Sequence, residues 1–314
     1  MTVSSAQGAR IAVLGATGGV GGHVCRAASR AAYTVTGIAR RLVENPASLT
    51  TDRFVTMDVA ATPPEQIADL LRAEQVVAVV NATGGWAKTE EVMAYAHTRL
   101  VERLVEALAT MSAPPLVVHI GSIHEYGPVP EGTLVDESTE PKPVTAYART
   151  KFAGSAEVLR AIRAGRIRGT VLRAVNVCGP GTTDSSFLGA VVRRLRNRGP
   201  GEQLELDIAD DRRDFVDVRD LADAVLAAIE TETAPDTVNI GRGSAHAMSE
   251  LVAMLVAEAG LPEDTVIPTG EAVLSKGGGW TRADTALARS ALGWSARKDL
   301  RTSLRDMWEA SATR

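Results

Sequence analysis

The chain has 314 residues, 45% of them hydrophobic and 23% charged, with a formal net charge of −4. This is enough apolar material for one large domain or two modest ones. It argues against a nucleic-acid binder, which would present a basic face, without excluding a local basic pocket for phosphates. No run reaches the roughly 20 apolar residues of a membrane-spanning helix, and residues 1–7 are polar with no secretory core. Two distant cysteines, Cys25 and Cys178, and five histidines without paired spacing predict neither a disulfide framework nor a metal site. The cytoplasm is the expected compartment.

Along the chain, short β-branched runs alternate with longer helical stretches. Strands are predicted over 11–14, 33–38, 54–57, 76–80, 116–120 and 169–175. Helices are predicted over 20–32, after Pro64, and over 92–109 and 147–164. Such alternation predicts an α/β fold with a doubly wound parallel sheet, whose ligands bind at the carboxyl ends of the strands. After Gly179-Pro180-Gly181 the segments shorten and turn signals multiply, at Gly199-Pro200-Gly201, Ala234-Pro235-Asp236 and Gly277-Gly278-Gly279. The expected division is a dinucleotide-binding domain over 1–178 and a smaller α/β substrate lobe over 179–314, with 214–240 returning to the first domain.

The first predicted strand runs into Gly15-Ala16-Thr17-Gly18-Gly19-Val20-Gly21, which opens the first predicted helix. The spacing is GxxGxxG, a departure from the usual dinucleotide GxGxxG. Its physics is shared: glycines allow a tight turn and let backbone approach a pyrophosphate at a helix N-terminus. NAD sites tend to carry a carboxylate after the second strand. Here that strand ends Ala39-Arg40-Arg41, and a planar guanidinium suits a 2′-phosphate. The expected cofactor is therefore NADP(H), with NAD possible and two solvated surface arginines as the plain alternative. Asp58, with Val59 beside it, is a candidate for the adenine amino group; an exposed loop aspartate is the competing reading.

Tyr147 and Lys151 stand four apart on a predicted helix and face one side. A phenol with a pKa near 10 exchanges protons poorly at neutral pH unless a cation helps, and a lysine one turn away favours the phenolate. Ser122 follows the 116–120 strand, where its hydroxyl can orient a carbonyl.

Taken in order, Gly15-x-x-Gly18-x-x-Gly21, Asn81-Ala82, Ser122 with Tyr126-Gly127, Tyr147-x-x-x-Lys151, Arg173-Ala-Val-Asn176-Val-Cys-Gly179-Pro180-Gly181 and Arg213-Asp-Phe-Val-Asp-Val make the chain similar to the extended short-chain dehydrogenase/reductases. Within that family the likeness is to the group of nucleotide-sugar epimerases, dehydratases and ketoreductases, over nearly the whole chain. The resemblance implies a catalytic Ser122, Tyr147 and Lys151. It implies a cofactor site along Gly15, Thr17, Gly18, Gly19, Val20, Gly21, Arg40, Arg41, Asp58, Val59, Asn81, Ala82 and Thr83, with Tyr147 and Lys151 also reaching the cofactor. Asn176 and Arg213 would meet the diphosphate of the sugar donor, although Arg213 has Asp210, Asp211 and Asp214 close by. Thr83, Trp86 and His124 are candidate sugar contacts. The family's dehydratases carry an acidic pair after the catalytic Ser or Thr. Ile123 and His124 stand there, which speaks against dehydration, and Cys178 replaces a frequent tyrosine.

The expected activity is NADPH-dependent reduction of the 4-keto group of an NDP-4-keto-6-deoxyhexose, with a dTDP carrier, in deoxysugar biosynthesis. An NDP-sugar 4-epimerase holding NAD and a non-catalytic NADP-binding sensor or scaffold are the alternatives. The resemblance also implies a homodimer built on the 92–109 and 147–164 helices.

Overall fold

The computed structural model describes residues 8–41, 49–270 and 278–313. Strand β1 (Arg10–Leu14), β2 (Thr34–Ala39), β3 (Arg53–Thr56), β4 (Val76–Asn81), β5 (Leu116–Ser122) and β6 (Gly169–Ala174) form a parallel sheet. It is completed by a later strand, Thr237–Ile240, paired to β6. The spatial order runs from that late strand through β6, β5, β4, β1 and β2 to β3. The order reverses between β1 and β4, so a crevice opens above the carboxyl ends of these two strands.

Covering both faces of the sheet explains the apolar runs of its central strands. In β1, Ile11 and Val13 join a core with α1 (Gly19–Arg30) on one face, while Ala12 and Leu14 join a second core on the other. This second core is covered by α2 (Pro64–Ala73), α4 (Leu100–Ala109) and α5 (Ala146–Arg163). A short helix, α3 (Glu90–Ala94), precedes α4.

The single helix expected over 92–109 is interrupted. Residues Tyr95–Arg99 form a π-helical turn between α3 and α4. The wider turn brings backbone against α5 where Gly154 makes room: a Cβ there would lie 2.2 Å from the His97 carbonyl oxygen. Periodicity missed it because one inserted residue leaves the apolar pattern on either side intact. The third strand also ends one residue earlier than expected, at Thr56, and Ser122 is the last residue of β5 instead of following it.

Beyond β6, β7 (Asn176–Cys178) pairs with β9 (Arg212–Asp217), which carries further short strands at Ala245–Ala247 and Trp280–Thr281. Between them lie α6 (Phe187–Asn197) and β8 (Leu204–Leu206). After β9, α7 (Val218–Glu230) leads into β10 (Thr237–Ile240), and α8 (Met248–Glu258) follows. A third apolar core, including Leu188, Phe215, Leu251, Leu255 and Leu304, holds this region together. Among the described residues no helix is long and apolar enough to cross a membrane.

Candidate active site

The turn from β1 into α1 is built by backbone alone. Gly15 N donates to Ile38 O at 2.8 Å and Gly18 N to Gly15 O at 2.9 Å. Gly15 has φ +81°, and a Cβ on Gly21 would lie 2.1 Å from the Gly15 oxygen. Gly18 caps α1 without a side-chain hydrogen bond, and no acidic residue stands in the first turn. The leading amides therefore present positive potential to an anion.

A cavity of about 280 Å³ opens above this turn, bordered by Gly15, Thr17, Gly18, Arg40, Arg41, Asp58 and Val59. Both arginines are exposed. The glycine cradle and the guanidiniums fit the phosphates of a dinucleotide. Asp58 accepts from the Tyr95 hydroxyl at 3.1 Å and from Ala60 N at 3.2 Å, a pairing that the π-turn makes and the sequence did not reveal.

Three of the expected cofactor residues also pack against protein neighbours. Gly19 lies against Gly181, whose oxygen would meet a Cβ at 2.8 Å, and Gly21 packs α1 onto the turn. Asn81 is fully buried; it accepts from Thr83 N and Oγ1 at 3.1 and 2.6 Å, and its Nδ2 lies 3.0 Å from His119 Nδ1. It shapes the loop that carries Ala82, Thr83 and Gly84, which border both this cavity and a larger one.

The larger cavity, about 800 Å³, brings together Ser122, Tyr147 and Lys151 with Val20, Trp86, His124, Asn176 and Arg213. Ser122 sits there because β5 ends there. Its hydroxyl accepts from His124 N at 3.3 Å in a capping box with Glu125. Tyr147 and Lys151 share one face of α5, which the Thr145 side chain caps through Ala148 N. Lys151 is buried, and its ammonium donates to Ile120 O at 2.6 Å.

Tyr147 is enclosed by aromatic rings. Trp86 stacks on it at 4.2 Å, while His97 and His124 meet it edge-on at 5.5 and 6.2 Å. Burial pushes the phenol up to about 12, partly opposed by the Ser122 hydroxyl and reinforced by the Glu125 charge. Burial draws Lys151 down to about 8 against the pull of Glu125. Lys151, one turn away, was expected to favour the phenolate; in this structure the net effect on the phenol is set by its burial.

His97, which the sequence reading passed over, ties the site together. Its Nε2 accepts from Gly85 N at 3.2 Å and its Nδ1 lies 2.9 Å from Thr150 Oγ1. With Nε2 accepting, Nδ1 carries the proton. Burial and the nearby Lys151 draw its pKa down to about 3. The ring thus fastens the loop bearing Trp86 to α5. A histidine inside an apolar helix pattern gave no signal of this in the sequence.

On the opposite wall, Asn176 Nδ2 donates to Asp214 O at 3.2 Å. Arg213 pairs with Asp211 through Nε at 3.2 Å and an η nitrogen at 2.7 Å, and that nitrogen also reaches Gly278 O at 3.3 Å. It borders the cavity all the same. Phe187, Leu188 and Met248, not singled out in the sequence, add apolar wall. Cys178 is buried, with Sγ 3.7 Å from Val216 O.

The chain is 40% identical to the dTDP-6-deoxy-L-talose 4-dehydrogenase (NAD(P)(+)) of Kitasatospora kifunensis, over 100% of this chain and 99% of that protein. It is 35% identical to the dTDP-L-rhamnose 4-epimerase of Burkholderia thailandensis, over 41% of this chain and 37% of that one. Among solved structures, MoeE5 in complex with UDP-glucose and NAD superposes with a TM-score of 0.81 at 25% identity, covering 97% of this chain and 99% of MoeE5. The UDP-glucuronic acid 4-epimerase of Bacillus cereus shares the fold at a TM-score of 0.81 and 22% identity, with coverage of 97% and 99%. The sequence pattern of the NAD dependent epimerase/dehydratase family matches residues 11–241. The chain belongs to the NAD dependent epimerase/dehydratase family.

Proposed function

We propose that this protein is an NADP(H)-using oxidoreductase acting at C4 of a dTDP-linked 6-deoxyhexose, reducing the 4-keto sugar. One observation carries the reading. Ser122, Tyr147 and Lys151 converge in a cavity that shares the Ala82–Gly84 loop with a second cavity bearing Arg40 and Arg41. Support for the substrate comes from the full-length relative whose name places its chemistry at C4 of a dTDP-6-deoxy sugar. Dehydrogenation and ketone reduction are one reaction run in opposite directions.

A nicotinamide dinucleotide held along the Gly15–Gly18 turn would supply the hydride. The residues do the rest. Because Ser122 Oγ accepts from His124 N, its own proton is available to the sugar oxygen. Tyr147, protonated at neutral pH, delivers a proton to that oxygen as charge develops on it. Lys151, fixed on Ile120 O, holds a positive charge beside the developing anion. Arg213 and Asn176 face the same cavity and are suited to a diphosphate and its sugar. A second copy of the chain would pack on the outer faces of the helices around 90–109 and 146–163.

The test is oxidation of NADPH and NADH, at equal concentration, with freshly generated dTDP-4-keto-6-deoxyhexose. Consumption favouring NADPH is expected, and Tyr147→Phe should cut turnover by about 10²- to 10⁴-fold while still binding the nucleotide. Stoichiometric NAD released from the purified protein, with no net consumption, would replace this reading by a 4-epimerase. Full turnover in Tyr147→Phe would end it.

A further inference from the structure

Directly behind Ser122 lies a carboxylate that the proposed chemistry does not use. Glu125 is 0% exposed, on the short 3₁₀ turn after β5. One of its oxygens accepts from Ser122 N and from Ser155 Oγ, both at 2.8 Å. The other accepts from Arg173 Nε at 2.9 Å, and the Arg173 side chain is itself only 4% exposed. The guanidinium also lies over the Tyr126 ring, 4.4 Å from its centroid. Room for the carboxylate comes from Gly121, where a Cβ would sit 2.7 Å from the Glu125 oxygen and 3.0 Å from Ser155 Oγ.

A buried ion pair is a costly way to stabilise a fold, since desolvation consumes much of the attraction and apolar replacements are often as stable. This pair draws together β5, β6 and α5, the elements that carry or flank Ser122, Tyr147 and Lys151. We propose that Glu125, paired with Arg173, is a positioning residue for the Ser122, Tyr147 and Lys151 site. It fixes Ser122 through its backbone amide and keeps a negative charge behind the phenol and the ammonium. The inference rests on the function proposed above.

The surroundings favour this role for the charge. His97 of the π-turn is held neutral, its pKa drawn to about 3, and His119 of β5 is drawn well below its ordinary value by burial. His124 stands edge-on to Tyr147, and Lys88, Asp207, Asp211 and Arg213 border the same cavity. Glu125 is the carboxylate whose charge raises both Tyr147 and Lys151. Both effects keep the protons in place at neutral pH.

The test is the pH profile of kcat for Glu125→Gln, measured with the nucleotide sugar and NADPH. Removing the charge lowers both Tyr147 and Lys151, so the limb set by them moves down by about one pH unit. The sign is the same whichever way the hydride runs, because the same proton is lost or gained. A lowered kcat with an unmoved limb would make Glu125 purely structural and overturn the proposal, as would an unchanged kcat and profile. If the single variant does not fold, because Arg173 is left buried and uncompensated, Glu125→Gln with Arg173→Gln removes both charges. Loss of the Arg173 charge opposes the shift, so the limb falls by less in the double variant, and an unmoved limb there with kcat unchanged rejects the proposal. Tyr147→Phe separates the two levels: its full activity would reject the function itself, whereas an inactive Tyr147→Phe beside an unshifted Glu125→Gln rejects only the role of Glu125.

Discussion

The indole of Trp86 lies flat on the phenol of Tyr147, with ring centroids 4.2 Å apart and planes 15° from parallel. The two residues are 61 positions apart, one on a glycine-bearing loop and the other in the first turn of α5. Gly84 gives the loop its path, with φ +119° and the His97 ring 3.2 Å from where a Cβ would be. The stack shields the phenol from water and so contributes to its raised pKa.

Trp86→Ala should therefore act on the site more than on the fold. An offset stack is worth about 0.5–1.5 kcal/mol, so kcat/KM should fall by roughly 2- to 13-fold. Readmitting water should move the Tyr147 limb of the pH profile downwards. Trp86 is 39% exposed, and the thermal midpoint should stay close to that of the parent. A collapse in stability with an unchanged profile would assign Trp86 to packing.

Arg40 and Arg41 should decide between the two dinucleotides. Replacing both with alanine removes the guanidiniums at the mouth of the smaller cavity. The KM for NADPH should rise by about tenfold or more, while that for NADH stays within roughly twofold. Equal losses with both cofactors would show that the arginines do not read the 2′-phosphate.

His97 should make the protein sensitive to mild acid. Its folded pKa, about 3, lies below the ordinary imidazole value of 6.5. A depressed value means that its contribution to stability is complete above pH 6.5 and is lost as pH falls through 6.5 towards 3. His23, drawn down to about 4 chiefly by burial, acts in the same direction, while Asp214, raised to about 6 by burial, acts in the opposite one. The difference in thermal midpoint between the parent and His97→Gln isolates the residue, and it should shrink over that window. A His97 ring that titrates near 6.5 by NMR would contradict the burial described here.

Gly21→Ala should damage the turn rather than merely stiffen the helix. The added methyl would sit 2.1 Å from the Gly15 oxygen, 2.7 Å from its carbon and 3.1 Å from Ala16 N, all backbone atoms with little freedom to yield. A loss of about 1–3 kcal/mol is expected in urea unfolding, as for other overpacked sites. Dinucleotide affinity should fall with it, since Gly15 and residue 21 cannot keep their present distance. An unperturbed variant would show that α1 can slide on the sheet.

Local pattern was sufficient for the features that local physics governs. Alternating β-branched runs and amphipathic stretches determined the order of strands and helices. The glycine turn between β1 and α1 was legible because its conformation is imposed by residues within a few positions of each other. Tyr147 and Lys151 were placed on one face by helical spacing alone, and the agreement of several ordered motifs marked the family.

Tertiary structure decided which partners meet across the chain and which of several near neighbours a side chain takes. The Trp86–Tyr147 stack, the fastening of Gly85 to Thr150 by His97, the Glu125–Arg173 pair and the engagement of Arg213 by Asp211 each require the fold before the partners can meet or be chosen. So does the electrostatics of the site: Lys151 one turn from Tyr147 suggests an activated phenol, whereas burial in the folded chain raises the phenol's pKa. Spacing along a helix sets which side chains are neighbours, whereas the water removed from around them is set by every element that closes over the cavity.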